Sequence, residues 1–320
     1  MLIESAADGC CADGHVSGTN QEMPLQLLDA ERDAPGTPAS AASRPRRIRS
    51  LFAWAVRPWV RRRRVPREVL HFHDLKRRSD DDWRNVLADD PVQAARWIYA
   101  AATYGDTDAQ LYWAQMLLSG RGTSRDSAAA FRWFEIAARS ERADAVNMLG
   151  RCHERGWGTE VDFTKAAACY RSAAERSHDW AQFNLGCLLL KGNGIAHDPD
   201  RAFDWFMKAA DQGHVKSIGM IGRSYENGWG CPPDKQRAIQ WYRRAAEGED
   251  FRAQYRYGQL LFEDGDWHEG IYWIQRAIQD APDEFCRCVA SDLLSQPDAR
   301  LRSLGERAQA RAVQASAARG

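Results

Sequence analysis

One pattern constrains this chain more than any other: the same residue types return every 36 positions through its middle. Small residues set this step, at Ala109, Ala145, Ala181, Ser217 and Ala253. Three features follow in the same register in four copies: Gly-x-Gly from Gly120, Gly156, Gly192 and Gly228, then Asp126, Asp162, Asp198 and Asp234, then Ala-Ala from Ala137, Ala173, Ala209 and Ala245. A fixed step at so many positions predicts stacked repeat units.

Each unit is predicted to hold two helices, which we name helix A and helix B. Positions in a unit are counted from its leading small residue, such as Ala145, which is position 0. In helix A the small or apolar residues fall at positions 0, +4, +5 and +8, which lie on one face of an α-helix. The Gly-x-Gly pair supplies the positive-φ conformations that end helix A, and the aspartate then caps helix B. Helix B carries an aromatic pair, such as Trp205-Phe206, in which we expect the tryptophan to fill the space between units.

The pattern extends beyond the four full copies. Asp90-Pro91 begins an additional helix B, residues 80–89 are expected to form an atypical cap, and a shortened unit follows Ala253. We therefore predict an all-α chain: an α-solenoid over residues 79–281, in which antiparallel helix pairs form a superhelical array. Residues 282–320 are expected to cap it with two helices, over 283–295 and 298–316.

The motif Ala-x-x-x-Leu-Gly at residues 181–186, followed by Gly-x-Gly, aspartate, the aromatic pair and Ala-Ala, resembles the Sel-one-like repeat family, which is related to the tetratricopeptide repeats. The resemblance covers about residues 90–281. It implies that helix A lines a concave face and that the protein does adaptor work, assembling or regulating other proteins. Cys169 departs from the usual tryptophan without affecting the predicted fold.

The 320 residues carry 44 basic and 44 acidic side chains, but the charge is unevenly placed. Residues 1–43 have a net charge of −6 and are expected to be disordered, because they are poor in bulky apolar residues. Residues 44–78 have a net charge of +11, with arginine clusters around a ten-residue apolar run. We considered three roles for that segment: docking on the acidic repeats, lying on an anionic membrane, or binding nucleic acid.

Neither an apolar run long enough to span a membrane nor a basic segment leading into a signal sequence is apparent, so we expect a cytoplasmic protein. The eight cysteines lack zinc-site spacing and are expected to be free thiols. Catalytic motifs are also lacking. The Gly-x-Gly pairs follow no strand, so they are interpreted as helix ends, and His71-x-His73 as solvated. We predict no enzyme activity, cofactor or metal.

The remaining candidate is the surface of helix A opposite the core, at +2, +3, +6 and +9. These positions vary between units, which suits recognition of one irregular partner. The predicted partner-binding residues are Asn147, Arg151, Phe183, Asn184, Arg223, Tyr255 and Arg256. We expect Arg151, Arg223 and Arg256 to line one wall of a channel. The apolar side chains expected to be exposed beside them are Phe183, Leu190, Tyr255 and Phe262.

These observations predict a monomeric, non-enzymatic scaffold or adaptor that binds another protein or peptide on the concave face of its repeats. The alternative is a peripheral membrane-associated or nucleic-acid-associated protein that is directed to its target by the arginine-rich residues 44–78.

Overall fold

The computed structural model describes residues 90–317, and the part from Ala95 onward forms one compact unit. The described residues form 13 helices and no strand. In chain order the helices are α1 (Pro91–Thr103), α2 (Thr107–Ser119), α3 (Ser127–Ala138), α4 (Ala143–Arg155), α5 (Phe163–Glu175), α6 (Asp179–Lys191), α7 (Pro199–Asp211), α8 (Val215–Asn227), α9 (Lys235–Glu247), α10 (Phe251–Glu263), α11 (Trp267–Asp280), α12 (Asp283–Leu294) and α13 (Ala299–Ala317).

The helices pack in sequence order, as a helical repeat requires. Helices α2, α4, α6, α8 and α10 are the A helices, and each packs most extensively on the B helix that follows it. The B helices α3, α5, α7 and α9 each pack on the next A helix as well, and α12 packs on α13. This chain of neighbour contacts is the α-solenoid that the sequence predicted. The described residues do not include 1–78, with the arginine-rich residues 44–78, or the predicted cap at 80–89. What was predicted for these segments stays a prediction.

The recurring aspartates cap the B helices, which confirms the sequence prediction. In four consecutive units the aspartate Oδ1 accepts a hydrogen bond from the backbone N–H three residues later, at 2.8–2.9 Å. A carboxylate at this position satisfies a donor that the first turn of a helix otherwise leaves unpaired. This cap involves residues only three positions apart, so it can be recognised in the sequence.

We expect Asp198→Ala to lower the free energy of unfolding by about 0.5–2 kcal/mol, because it removes the cap of α7. Asp198→Asn is the matched control, since asparagine caps about as well as aspartate. Urea unfolding of both variants measures the effect. Equal losses for the two variants would show that the charge of Asp198, and not its capping bond, stabilises the unit.

In helix B the core is filled by the second member of the aromatic pair. The tryptophan, which is the first member, does not fill it. Phe134, Tyr170, Phe206 and Tyr242 are 0–2% exposed. The tryptophans that precede three of them, Trp133, Trp205 and Trp241, are only half-buried. The expectation that tryptophan fills the space between units was therefore wrong. The reason is the glycine at +5 of helix A: a Cβ at Gly186 would lie 2.6 Å from the ring of Phe206, so the missing side chain makes room for that ring.

The C-terminal part follows the predicted outline. The last A helix, α10, ends at Glu263, where Asp264 stands in place of the first glycine, and the shortened connection leads directly into α11. There Gly258 and Gly270 bring the backbones of α10 and α11 together: a Cβ at Gly258 would lie 2.7 Å from the carbonyl oxygen of Gly270. Helices α12 and α13 then lie where two closing helices were expected.

Candidate functional site

Consecutive A helices lie side by side and exchange side-chain hydrogen bonds. The amide of Asn184 on α6 donates to Asn147 on α4 at 3.1 Å. The guanidinium of Arg256 on α10 donates to Glu226 on α8, with 2.8 Å between Nε and Oε1. We name the surface formed by these neighbouring helices, at positions +2, +3, +6 and +9, the A-helix face.

Several predicted site residues are more buried than expected because of this side-by-side packing. Asn147 and Tyr255 are 5% and 2% exposed, and the Tyr255 hydroxyl donates to Asp292 on α12. Phe183 is half-buried and packs against Phe206, with 6.1 Å between the ring centroids and the rings tilted by 49°. The expectation that Phe183, Leu190, Tyr255 and Phe262 are exposed together was therefore wrong: Tyr255 is buried and the other three are half-buried. The partner-binding assignment of the seven residues itself stays a prediction.

The three predicted arginines do not have equivalent surroundings. Arg256 is held by Glu226 and lies 3.6 Å from Glu263, so its charge is largely met within the protein. Arg151 and Arg223 instead lie over tryptophan rings, at 5.1 Å from the ring centroid of Trp157 and of Trp229 respectively. The three arginines therefore do not form a wall of equivalent groups, because two lie over tryptophan rings and the third is held by Glu226.

Each stacked arginine belongs to a four-residue group. The first Arg–Trp cluster consists of Arg151, Glu154, Trp157 and Tyr170, and the second of Arg223, Glu226, Trp229 and Tyr242. In both clusters the tyrosine hydroxyl donates to the glutamate at 2.6 Å. Burial, followed by the charge of the adjacent glutamate, raises the pKa of both tyrosine hydroxyls well above the usual range, so they remain donors.

Beside the A-helix face, at the residue just before position 0 of two A helices, a lysine lies over a tryptophan ring. The Lys216 ammonium lies 4.8 Å from the ring centroid of Trp180. Burial and the nearby positive charge of Arg252 lower the pKa of Lys216, and burial lowers the pKa of Arg151. A cation in such surroundings gains more from an incoming carboxylate than a fully hydrated cation does. This part of the face can therefore bind anionic groups.

The sequence analysis missed Trp157, Trp229, Trp180 and Lys216. A signal for the first two was present, because every member of the first cluster recurs 72 residues later in the second. The 36-residue period does not reveal this recurrence, because the intervening unit has other residues at the arginine and tryptophan positions. Trp180 and Lys216 carry no such signal, because neither recurs at the same position in another unit.

His214 is a buried cap whose function depends on its protonation state. Its Nδ1 accepts from the backbone N–H of Ser217 at 3.3 Å at the start of α8, and its Nε2 is buried without a partner. Trp180 packs edge-on against the imidazole at 4.6 Å between ring centroids. Burial, opposed by Asp179 and assisted by Lys216, lowers the pKa of His214 to about 4.

The low pKa of His214 predicts a loss of stability in mild acid. The unfolded chain binds this proton near pH 6.5, whereas the folded protein does so only near pH 4. The free energy of unfolding should therefore fall by about 2–3 kcal/mol between pH 7 and pH 4.5 on account of this residue. In urea unfolding, His214→Asn, which keeps a capping side chain, should show a shallower dependence on pH. An unchanged dependence would assign the effect to other groups.

Residues 90–317 hold no group of three or more His, Cys, Asp or Glu side chains that could bind a metal ion. None of their helices is long and apolar enough to cross a membrane. Cys152, Cys169, Cys187, Cys231 and Cys286 are free thiols.

Comparison with known families settles the relationship that the repeat suggested. The Sel1 repeat matches residues 107–141, 143–178, 181–214, 217–250 and 251–280, which together make up more than half of the chain. The chain belongs to the Sel1 repeat family. The five matched segments correspond to the A and B helices from α2 to α11. No curated protein matches the chain.

Two solved structures are similar in fold to this Sel1 repeat chain. One is a Sel1 repeat protein from Oxalobacter formigenes, with a TM-score of 0.62 and 24% identity over 73% of this chain and 99% of the other. The other is c5321, a protective antigen of uropathogenic Escherichia coli with an SLR fold, with a TM-score of 0.55 and 22% identity. That match covers 72% of this chain and 52% of the antigen. At these identities the comparisons show an all-α repeat fold.

Proposed function

We propose that this Sel1 repeat protein is a non-enzymatic scaffold that binds an extended segment of another protein on its A-helix face. One observation carries the proposal. The core positions repeat from unit to unit, whereas the positions on the A-helix face differ and place stacked cations beside half-buried apolar side chains. A constant scaffold with a variable surface suits an irregular polypeptide partner.

The chemistry of the face favours an acidic segment. Guanidinium groups bind carboxylates with directed, charge-assisted hydrogen bonds, and a tryptophan beneath the guanidinium holds its plane in place. Phe183 and Met220 are half-buried between the two Arg–Trp clusters and offer apolar contact. Sel1 repeats generally mediate contacts between proteins, which agrees with this function. We expect the protein to act as a monomer in the cytoplasm.

The double substitution Arg151→Ala/Arg223→Ala tests this function. Partner capture by the full chain should fall at least tenfold, which corresponds to about 1.4 kcal/mol. Arg243→Ala is the matched control, because Arg243 is an exposed arginine on helix B that bonds to Glu247. Circular dichroism would check that all variants fold.

Deletion of residues 1–78 separates the proposed function from the role considered for the arginine-rich segment. We expect the shortened chain to retain capture. If the double variant captures partners normally while the deletion abolishes capture, residues 1–78 carry the binding and the A-helix face does not.

A further inference from the structure

The second residue of each A helix, at position −1, carries a charge that changes along the array. From α2 to α10 these residues, which we name the −1 row, are Asp108, Asp144, Trp180, Lys216 and Arg252. Neighbours in the row are linked in space. Arg142 pairs with both aspartates, at 2.7 and 2.6 Å, and the Lys216 ammonium lies 4.8 Å from the ring centroid of Trp180. The row therefore runs along one edge of the array, acidic at α2 and α4 and basic at α8 and α10.

The charges at the two ends of the row are met differently. The two aspartates share one arginine, so the acidic end is paired within the protein. Lys216 and Arg252 are exposed. Within residues 90–317 these two cations lie over aromatic rings and not against a carboxylate: Lys216 over Trp180, and Arg252 over Phe251 at 4.7 Å from the ring centroid. The basic end of the row can therefore accept carboxylates from a partner.

Lys216 and Arg252 occupy electrostatically unfavourable positions. The start of a helix carries partial positive charge, which disfavours a cation there, and the first turns of α8 and α10 hold no acidic residue. Partial burial and then the charge of Arg252 lower the pKa of Lys216, so the two cations also disfavour each other. Asp250 opposes this effect only in part, because its carboxylate caps α10 by accepting the backbone N–H of Arg252 at 3.2 Å. A bound carboxylate would offset these costs.

The aromatic rings at the basic end favour a polypeptide over a nucleic acid. Single-stranded nucleic acids bind by stacking their bases on open aromatic faces. The Trp180 ring is instead covered by the Lys216 ammonium and packs against His214, at 4.6 Å between ring centroids. Carboxylates need only the cations, and a guanidinium binds them with charge-assisted hydrogen bonds. This end of the row is therefore suited to acidic side chains.

We infer that Lys216 and Arg252 bind two carboxylates of the partner segment and thereby fix its direction, with its acidic part at the starts of α8 and α10. At the other end of the row Arg142 is already bound to two aspartates, so that end favours a part of the segment without carboxylates. This inference rests on the proposed function and deepens it, because it states where the acidic part of the partner lies.

Charge reversal tests this inference in the full chain. A displayed library of random peptides is selected on the wild type, and the acidic peptide that binds most tightly becomes the probe. In fluorescence anisotropy, Lys216→Glu/Arg252→Glu should lower the affinity for the probe by about tenfold or more, because two attractions become repulsions. Replacing the acidic residues of the probe with lysine should restore binding to this variant and abolish binding to the wild type. The variant is expected to fold, since the helix dipole favours glutamate in a first turn.

Lys208→Glu/Arg244→Glu is the matched control. Lys208 lies 4.0 Å from the ring centroid of Trp205, and Arg244 lies 4.5 Å from that of Trp241. The control therefore also reverses one lysine and one arginine that lie over aromatic rings, but on B helices, where both are exposed. At physiological salt distant charges are screened, so the control should bind the acidic probe as the wild type does.

The outcomes separate this inference from the proposed function. A loss of affinity that the lysine probe does not reverse, or an equal loss in the control, would overturn the inference. So would a single-stranded oligonucleotide that displaces the probe as well as the unlabelled peptide does. If the charge-reversal variant binds the acidic probe normally while Arg151→Ala/Arg223→Ala does not, the inference is wrong and the proposed function stands. If no peptide in the library binds the wild type, both are wrong.

Discussion

Phe206→Ala is expected to lower the free energy of unfolding by about 3–5 kcal/mol, the usual loss when a buried phenylalanine is truncated. Phe206 is fully buried in the core of the third unit. Its ring lies against Gly186, where an added Cβ would lie 2.6 Å away, so the surroundings cannot collapse onto the cavity without moving helix A. Because repeats are stabilised by their neighbours, the loss should lower the cooperativity of unfolding along the array.

The adjacent Trp205→Ala is the matched control for Phe206→Ala. Trp205 is half-buried, and its ring lies 4.0 Å from the Lys208 ammonium, so its truncation removes a partly exposed contact. We expect a loss of about 1 kcal/mol, near the centre of the range for point substitutions. Urea unfolding of both variants decides the assignment. A larger loss at Trp205 than at Phe206 would mean that the core is built on the first member of the aromatic pair.

Gly194→Ala is expected to destabilise the protein by at least 3 kcal/mol, because it combines two costs. Gly194 has a φ of 66°, in the left-handed region, and a side chain there costs about 1 kcal/mol or more. An added Cβ would also lie 2.3 Å from the backbone carbon of Phe163 at the start of α5. Backbone cannot move aside as a flexible side chain can, so the loop would have to separate from the preceding B helix.

Gly213→Ala isolates the first of these two costs. Gly213, in the turn before α8, has a φ of 89° and no atom within 4 Å of an added Cβ. We expect a loss of about 1 kcal/mol, measured by urea unfolding beside Gly194→Ala. Similar losses at the two positions would show that the second glycine of each Gly-x-Gly pair is needed only for its backbone conformation and not for close approach to helix B.

The fold could be predicted from the sequence because its determinants are local and repeated. The aspartate caps, the Gly-x-Gly helix ends and the small residues of helix A act within a few residues of their own positions, and each appears several times. A pattern that recurs at a fixed step is visible without any knowledge of the packing. The caps of the A helices were harder to predict, because the residue type at this position changes along the array. Asp106 and Asp250 cap α2 and α10, whereas His178 and His214 cap α6 and α8.

The burial of individual site residues could not be predicted, because it depends on contacts between units. The helical pattern places Tyr255 on the outward face, yet its side chain is buried and its hydroxyl donates a hydrogen bond to Asp292 of α12. Arg256 was expected to be available to a partner, and Glu226 of the preceding A helix neutralises it instead. Such pairings join residues about one repeat apart, and the helical period of either helix alone does not reveal them.

The central claim is that a partner segment lies on the A-helix face. The most direct test is hydrogen–deuterium exchange of the full chain, measured with and without an acidic peptide that binds it. The predicted result is slower amide exchange in α4, α6 and α8 on binding, with little change in the outward parts of α5, α7 and α9. The same peptide should leave exchange in the Arg151→Ala/Arg223→Ala variant unchanged. Protection confined to residues 1–78, or to the B helices, would contradict the account.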